Sequence, residues 1–311
     1  MEKTHDIVVI GAGIAGLSAS VAAARLGRQT LLVTGHALGG HLISIESVEG
    51  FPGFPEVVPG YELCPTVQTQ AADAGAEFAM SEVSSLEREQ DGWRVRSASG
   101  DFLAKAVIVA SGTVLKSLGV PGEDELRGKG VSQCASCDAP LLVGQEAVVI
   151  GGGDSAMQEA LTLAEHTSRV TLLHRGEALA GQAAFRRRIE AAHNVVTRFA
   201  VTVSEILGDD AVSGVRIRDG ESGEEDELPA QGVFVFVGLH GNAGFLGNLV
   251  SRDTGGRIHT DVALRTAAPG LFAAGTVRSG AAGRAVAAAG EGAQAAIGAD
   301  AFLASGGWPS Q

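Results

Sequence analysis

Short runs of consecutive apolar residues, each ending at glycine or at a serine-glycine pair, recur along this chain. Asp6-Ile7-Val8-Val9-Ile10 runs into Gly11, Ala106-Val107-Ile108-Val109-Ala110 into Ser111-Gly112-Thr113, Ala147-Val148-Val149-Ile150 into Gly151, and Gly232-Val233-Phe234-Val235-Phe236-Val237 into Gly238. Such runs, without polar alternation, predict strands covered on both faces. Two of them lead into helical stretches, Leu17–Leu26 and Asp154–Glu165, and then into further strands, Thr30–Val33 and Arg169–His174. Each set is a β-α-β unit. Trp93-Arg94-Val95-Arg96 reads as another strand. Val120-Pro121-Gly122-Glu123 reads as a turn and hinge, after which the pattern starts afresh. Gly238–Asn242 is the return linker. Gly270–Gly275 and a helix from about Ala285 carry no nucleotide motif of their own and rejoin the first part.

The glycines at the two strand-to-helix turns have a particular spacing. Gly11-Ala12-Gly13-Ile14-Ala15-Gly16 is a GxGxxG fingerprint. Gly11 permits the tight turn, Gly13 admits a pyrophosphate to the backbone, and Gly16 lets helix and strand pack closely. The second turn, Gly151-Gly152-Gly153-Asp154-Ser155-Ala156, offers Gly151, Gly153 and Ala156 in the same places. The expected fold is α/β, with two Rossmann-like three-layer domains, the second inserted in the first. Their bounds are 1–115 with 243–311, and 116–242. Gly39-Gly40-His41 and Phe51-Pro52-Gly53-Phe54-Pro55 are loops placed where they could wrap a ligand.

Ahead of the second glycine turn stands Cys134-Ala135-Ser136-Cys137-Asp138. Two cysteines at this spacing can close a small disulfide ring and pass an electron pair by thiol–disulfide exchange. They can also form half of a zinc site, which needs two further sulfur or imidazole ligands. Cys64 and scattered histidines are all the chain supplies, so no metal is expected. Cys64 beside Pro65 reads as a small buried residue.

Composition narrows the class. The chain has 311 residues, 45% of them hydrophobic, enough for two domains with substantial cores. A net charge of -13 argues against nucleic acid and anionic membrane surfaces as partners. Three cysteines are too few for a secreted disulfide scaffold, which points to the cytoplasm. The apolar N-terminal run is interrupted by the fingerprint glycines, unlike a signal peptide. The alanine-rich stretch Ala285–Ala304 is broken by Glu291 and Asp300, so no membrane span is expected.

The order of these parts resembles the low-molecular-weight thioredoxin reductases over nearly the whole chain: Gly11–Gly16, Gly39-Gly40, Phe51-Pro52-Gly53, Ser111-Gly112-Thr113, Cys134–Asp138, Gly151–Ala156 and Phe272-Ala273-Ala274-Gly275. The resemblance implies an FAD-binding domain made of both chain ends, an inserted NADPH-type domain carrying the CxxC, and a homodimer. It implies electron flow from a nicotinamide nucleotide through FAD to the disulfide and on to a thioredoxin-like protein or a small-molecule disulfide. Cys137 would face the flavin, Cys134 would attack the substrate, and Asp138 would be the acid/base. FAD would meet Gly11–Gly16, Gly39, Gly40, His41, Ser111, Gly112, Gly275, Thr276, Arg284 and Ala285. The nicotinamide nucleotide would meet Gly151, Gly153 and Ala156.

The departures from that family are equally informative. NADPH-specific members hold the 2′-phosphate with His-Arg-Arg and a later Arg, where this chain has His174-Arg175-Gly176-Glu177-Ala178-Leu179-Ala180. Losing two arginines and gaining Glu177 disfavours NADPH and leaves NADH open. Arg186-Arg187-Arg188 reads as a solvated helix face. Thr276 stands where the family has Asp, His41 where it has Gln, Gly50 where it has Asn, and Gly283-Arg284-Ala285 where it has Arg-Gln-Ala. Three functions remain open: a disulfide reductase; a dithiol oxidase using oxygen, or a ferredoxin-fed reductase, without NADPH; and a flavin-binding protein without turnover.

Overall fold

The computed structural model describes residues 4–35 and 38–307. The chain divides into two units, one drawn from Met1–Val114 and His240–Gln311, the other continuous, Leu115–Leu239. Among the described residues six α-helices occur: α1 (Ile14–Arg25), α2 (Gly60–Asp73), α3 (Ala135–Asp138), α4 (Asp154–Ala164), α5 (Ala183–Ala191) and α6 (Ala285–Ser305).

The first unit is built on a seven-stranded sheet. Its order is Glu77–Ala79, Thr30–Val33, Thr4–Ile10, Phe102–Val109, Gly92–Ser97 and Val83–Glu89, with Leu271–Ala273 added to Phe102–Val109. Phe102–Val109 changes partner along its length. Phe102, Leu103 and Ala104 pair antiparallel with Val95, Arg94 and Trp93, whereas Val107, Ile108 and Val109 pair parallel with Leu271, Phe272 and Ala273. The unbroken apolar runs now have their reason. Ile7 and Val9 face a core with Leu17 and Ala19 of α1 and Ala295 and Ala299 of α6. Val8 and Ile10 face the opposite core with Trp93, Val95, Leu246 and Ile258. Both faces are covered, so no polar alternation survives, and each fully buried Val or Ile contributes about 1.5–3 kcal/mol. α1 and α6 approach so closely that a Cβ on Gly292 would collide with the Ala15 carbonyl. The alanine-rich stretch is thus a helix packed through its small residues. Among the described residues no helix is long and apolar enough to cross a membrane.

The second unit has three layers. A parallel sheet in the order Val195–Arg198, Arg169–Leu173, Glu146–Gly151, Gly232–Phe236 and Val131–Ser132 forms the middle. Val149 packs with Met157, Ala160 and Leu163 of α4 on one side. Val148 and Ile150 pack on the other with Val203, Ile206, Val215 and Ile217. These last belong to an antiparallel meander, Val201–Gly208, Val212–Asp219 and Glu225–Pro229.

Four features depart from the sequence reading. The meander and α2 were not legible. Glu225–Pro229 is acidic and exposed, and it becomes a strand through pairing and through cross-strand ion pairs, Arg216–Glu227 at 2.8 Å and Arg218–Glu225 at 2.7 Å. α2 carries Pro65 in its interior, a residue that argues against helix. The hinge expected at Gly122 lies inside the second unit. Ile206 donates its N–H to the Pro121 carbonyl at 2.9 Å, and a Cβ on Gly122 would meet the Ile206 carbonyl. The neighbouring Glu123 is 2% exposed and accepts the N–H groups of Leu118 and Gly119 at 3.0 and 2.7 Å. The chain instead changes unit within Thr113–Leu115 and Leu239–Gly241, which pair as a two-stranded sheet. The Gly39-Gly40-His41 loop is also more ordered than expected, leading into a 3-10 turn over Gly40–Ser44.

Candidate active site

In the first unit, Gly11 has φ +103°, which side-chain-bearing residues rarely adopt. It turns the chain from Ile10 towards Gly13, the N-cap of α1. Gly16 sits against this turn so tightly that a Cβ would strike the Gly11 carbonyl. No side chain caps α1, and its first turn carries no acid. Its leading N–H groups therefore lack intrahelical partners, and a Cβ on Gly13 would meet nothing within 4 Å. An open helix N-terminus of this kind suits a pyrophosphate.

The other expected flavin residues are joined to this turn by hydrogen bonds and packing. Gly39 forms a parallel bridge with Gly13 and donates its N–H to the Ala12 carbonyl at 2.8 Å. Gly40 follows it, and His41 Nε2 donates to the Thr113 carbonyl at 2.5 Å. The hydroxyls of Thr113 and Thr276 lie 3.4 Å apart. Ser111 donates its hydroxyl to the Asn242 carbonyl at 2.6 Å, and Asn242 returns an N–H to Gly112 at 3.0 Å. A Cβ on Gly275 would stand 2.8 Å from the Ala15 methyl. Ala285 packs against the cluster containing Ile14, while Arg284, the N-cap residue of α6, is exposed. These residues of the first unit, Arg284 aside, thus form one connected frame. Sequence reasoning missed one part of it. Glu291 of α6 accepts the Gly275 N–H at 2.8 Å and pairs with Arg278 at 2.6 Å. Nothing in the local pattern links those three residues.

In the second unit the glycine turn is similar in construction. Gly151 has φ +153°, and a Cβ there would lie 2.8 Å from the Ala156 methyl. Gly153 is the N-cap of α4, without a side-chain cap and with open space before it. Its first turn differs from that of α1 in carrying Asp154. That carboxylate accepts the Gln182 N–H at 2.6 Å and the Gln182 side-chain amide at 3.2 Å. Ala180 donates its N–H to the Gly152 carbonyl at 2.8 Å, so residues 180–182 fold back on the turn. The His174 ring fills the space a side chain at Gly152 or Gly176 would need, and meets Phe199 edge-on at 6.4 Å. Arg175, Glu177 and Ala180 are exposed. Arg186, Arg187 and Arg188 lie exposed on α5, with the Arg188 guanidinium 5.7 Å from the Phe185 ring.

The same unit holds the Cys134–Cys137 disulfide, with Cα atoms 5.3 Å apart. Cys134 is the N-cap of α3, and its sulfur accepts the Cys137 N–H at 3.2 Å. Ser132 Oγ accepts the Cys134 N–H at 3.1 Å, and Asp138 donates its N–H to the Cys134 carbonyl at 3.2 Å. Cys134 and Asp138 are half-buried, whereas Cys137 is exposed. Among the described residues no group of three or more His, Cys, Asp and Glu could hold a metal ion.

Cys64 is a different kind of thiol. It is 1% exposed inside α2, and burial pushes it up to about 11. Desolvation penalises the thiolate, so its nucleophilic form is nearly absent at neutral pH. Alkylation of the reduced, native protein near neutral pH is therefore expected to label two cysteines rapidly, and the third only after unfolding. Rapid labelling of all three would place Cys64 within reach of solvent and count against this packing.

Comparison with known proteins accords with this geometry. Residues 5–292 match the family model described as pyridine nucleotide-disulphide oxidoreductase. The thioredoxin reductase of Treponema pallidum is 36% identical over 303 residues, covering 97% of this chain and 98% of that protein. The crystal structure of Lactococcus lactis thioredoxin reductase superposes with a TM-score of 0.94 at 35% identity, covering 97% of this chain and 99% of that one. A bifunctional thioredoxin reductase/thioredoxin of Mycobacterium leprae is 38% identical, with 97% of this chain matching 67% of its length.

Proposed function

This chain belongs to the pyridine nucleotide-disulphide oxidoreductase family and, within it, to the thioredoxin reductases, and from that premise we propose that it passes electrons between FAD and the Cys134–Cys137 disulfide and on to an external disulfide. The observation that carries the reading is the disulfide itself, set on a short helical turn in the same unit as a dinucleotide turn. The unit with the Gly11–Gly16 frame is the FAD domain, and Leu115–Leu239 is the nicotinamide-type domain. FAD, when bound, supplies a two-electron carrier between nucleotide and sulfur. Gly11–Gly16 and the open α1 N-terminus would hold its pyrophosphate. Gly39, Gly40, His41, Ser111, Gly112, Gly275, Thr276, Arg284 and Ala285 would line the rest.

An electron pair taken up at Cys137 breaks the Cys134–Cys137 bond and leaves Cys134 free as the nucleophile. Cys134 attacks the substrate disulfide, breaking its S–S bond and releasing one substrate thiolate. Asp138 protonates that leaving sulfur. Cys137 then attacks the mixed disulfide, which reforms Cys134–Cys137 and frees the second substrate thiol. The substrate is a thioredoxin-like protein, a reading supported by relatives named for that activity and by the one that carries thioredoxin on the same chain. The working form is a homodimer in the cytoplasm.

The donor is the point at which this chain parts from its relatives. Gly176 and Ala180 offer no side chain to a 2′-phosphate, and the exposed Glu177 repels one. Gly151, Gly153 and Ala156 still present the backbone to a pyrophosphate, and Glu177 suits a ribose hydroxyl, so NADH is the better nucleotide. The same residues favour a second reading, a dithiol oxidase or a ferredoxin-fed reductase that uses neither nucleotide. Anaerobic bleaching of the purified yellow protein separates these. NADH is expected to bleach the flavin faster than NADPH at equal micromolar concentration. Faster bleaching by NADPH refutes the donor reading, bleaching by dithiols alone selects the oxidase, and a colourless protein that takes up no FAD refutes the flavin assignment.

A further inference from the structure

The electron path proposed above makes no use of Glu291, a carboxylate set well inside the first unit on α6. Its side chain is 15% exposed, and that of its partner Arg278 is 17% exposed. The pair is bidentate. Arg278 Nη2 donates to Oε1 at 2.6 Å, and Nε donates to Oε2 at 3.3 Å. Oε2 also accepts the Gly275 N–H at 2.8 Å. Arg278 does not depend on Glu291 alone, because Nη1 reaches the Thr260 hydroxyl at 3.4 Å and the Ser279 carbonyl at 3.2 Å.

The place of Gly275 in the chain gives this contact a use. The strand Leu271–Ala273 leads through Ala274 into a 3-10 turn over Gly275–Val277. Along Leu271–Val277 every residue is buried except Thr276. The turn therefore presents Thr276, whose hydroxyl stands beside that of Thr113. The neighbour of Glu291 on α6 is Gly292, which lies against the Ala15 carbonyl in the first turn of α1. Two consecutive residues of α6 thus touch the proposed pyrophosphate seat and the peptide that precedes Thr276.

We propose that Glu291 is a positioning residue for FAD: by accepting the Gly275 N–H it sets the Gly275–Val277 turn against the α1 N-terminus, and FAD affinity depends on that hydrogen bond more than on the ion pair. The inference rests on the reading of the first unit as the FAD domain. Gly275 has φ +78°, and a glycine has many other conformations open to it. A buried amide that loses its acceptor turns to find another. Thr276 is the next residue and moves with that peptide. Arg278 grips both carboxylate oxygens and so fixes the direction from which Oε2 meets Gly275.

The test compares Glu291→Gln with Glu291→Met in the full chain stripped of flavin. Both replacements keep the bulk of the side chain and both lose the ion pair. Only Gln retains an oxygen for Gly275. Titration with FAD, followed by its fluorescence, gives the dissociation constants. Glu291→Met is expected to weaken FAD binding about tenfold or more, and Glu291→Gln by no more than about threefold. Equal weakening in both variants overturns the proposal, because the effect would then follow the ion pair. A Met variant that binds FAD as the unmodified protein does also overturns it. Hydrogen exchange in the flavin-free, unmodified protein needs no variant. The Gly275 amide is expected to be protected to a similar degree as that of Ala274, which donates to the Val109 carbonyl at 2.9 Å. Exchange at Gly275 faster by orders of magnitude overturns the proposal as well. An unmodified chain that takes up no FAD refutes the reading of the first unit, and this inference with it.

Discussion

Replacing Cys137 with Ser is expected to lower turnover of any disulfide or dithiol substrate by about three orders of magnitude or more, with flavin content unchanged. The two sulfurs act as one device. Cys134 alone can attack a substrate disulfide, but the mixed disulfide it forms has no neighbouring thiol to resolve it. The lost bond is a minor part of the fold. A loop this short contributes about 2 kcal/mol by the chain-entropy argument, against the extensive three-layer core of its unit. The Gly11–Gly16 frame belongs to the other unit, so the variant is expected to purify yellow. Steady-state turnover with thioredoxin and with small dithiols is the measurement. Normal rates in this variant would show that electrons reach the substrate without the Cys134–Cys137 pair.

The second large effect concerns Gly16. Changing it to Val is expected to abolish FAD binding and to destabilise the first unit by about 1–3 kcal/mol or more. The obstruction is backbone, the Gly11 carbonyl, and backbone cannot rotate aside as the end of a side chain can. α1 must withdraw from the turn, which breaks up the row of N–H groups proposed to face the pyrophosphate. Gly13→Ala provides the contrast. Its Cβ meets nothing in the protein, and φ −70° suits alanine. That variant is expected to keep its thermal stability yet lose flavin affinity, because the new methyl stands where the cofactor backbone would approach. The flavin-to-protein absorbance ratio and thermal unfolding read both effects. A yellow Gly16→Val protein with unchanged melting would mean the fingerprint does not hold FAD.

These contrasts also indicate what the sequence can reveal. The strand at Thr4–Ile10, the adjoining glycines and the strand at Thr30–Val33 were legible because burial on both faces leaves an unbroken apolar run and close approach leaves glycine. The cysteine pair was legible as chemistry through its spacing, and Cys64 as a buried thiol through its lack of partners. α2 was hidden by Pro65. The Glu225–Pro229 strand was hidden because its partner strand and facing arginines, rather than its own residues, make it a strand. Gly122 misled for the opposite reason. A Pro-Gly turn looks like a joint, and here it is packed against Ile206. The contacts that tie the frames together were out of reach. His41 to Thr113, Gly275 to Glu291 and Ala135 to Glu159 each join segments whose proximity is set by the fold and leaves no periodic mark.

The change of partner along Phe102–Val109 bears on the order in which the molecule can be assembled on the ribosome. The antiparallel pairing of Phe102–Ala104 is available as soon as the first hundred or so residues have emerged. The parallel pairing of Val107–Val109 must wait for Leu271–Ala273, and the helix that covers that face of the sheet ends only at Ser305. Every strand of the middle unit's own parallel sheet and meander has by then been synthesised. A nascent chain therefore carries a finished cysteine-bearing unit while the first unit still exposes an unpaired sheet edge beside Ile108, in the interval when such an edge is most open to strange partners.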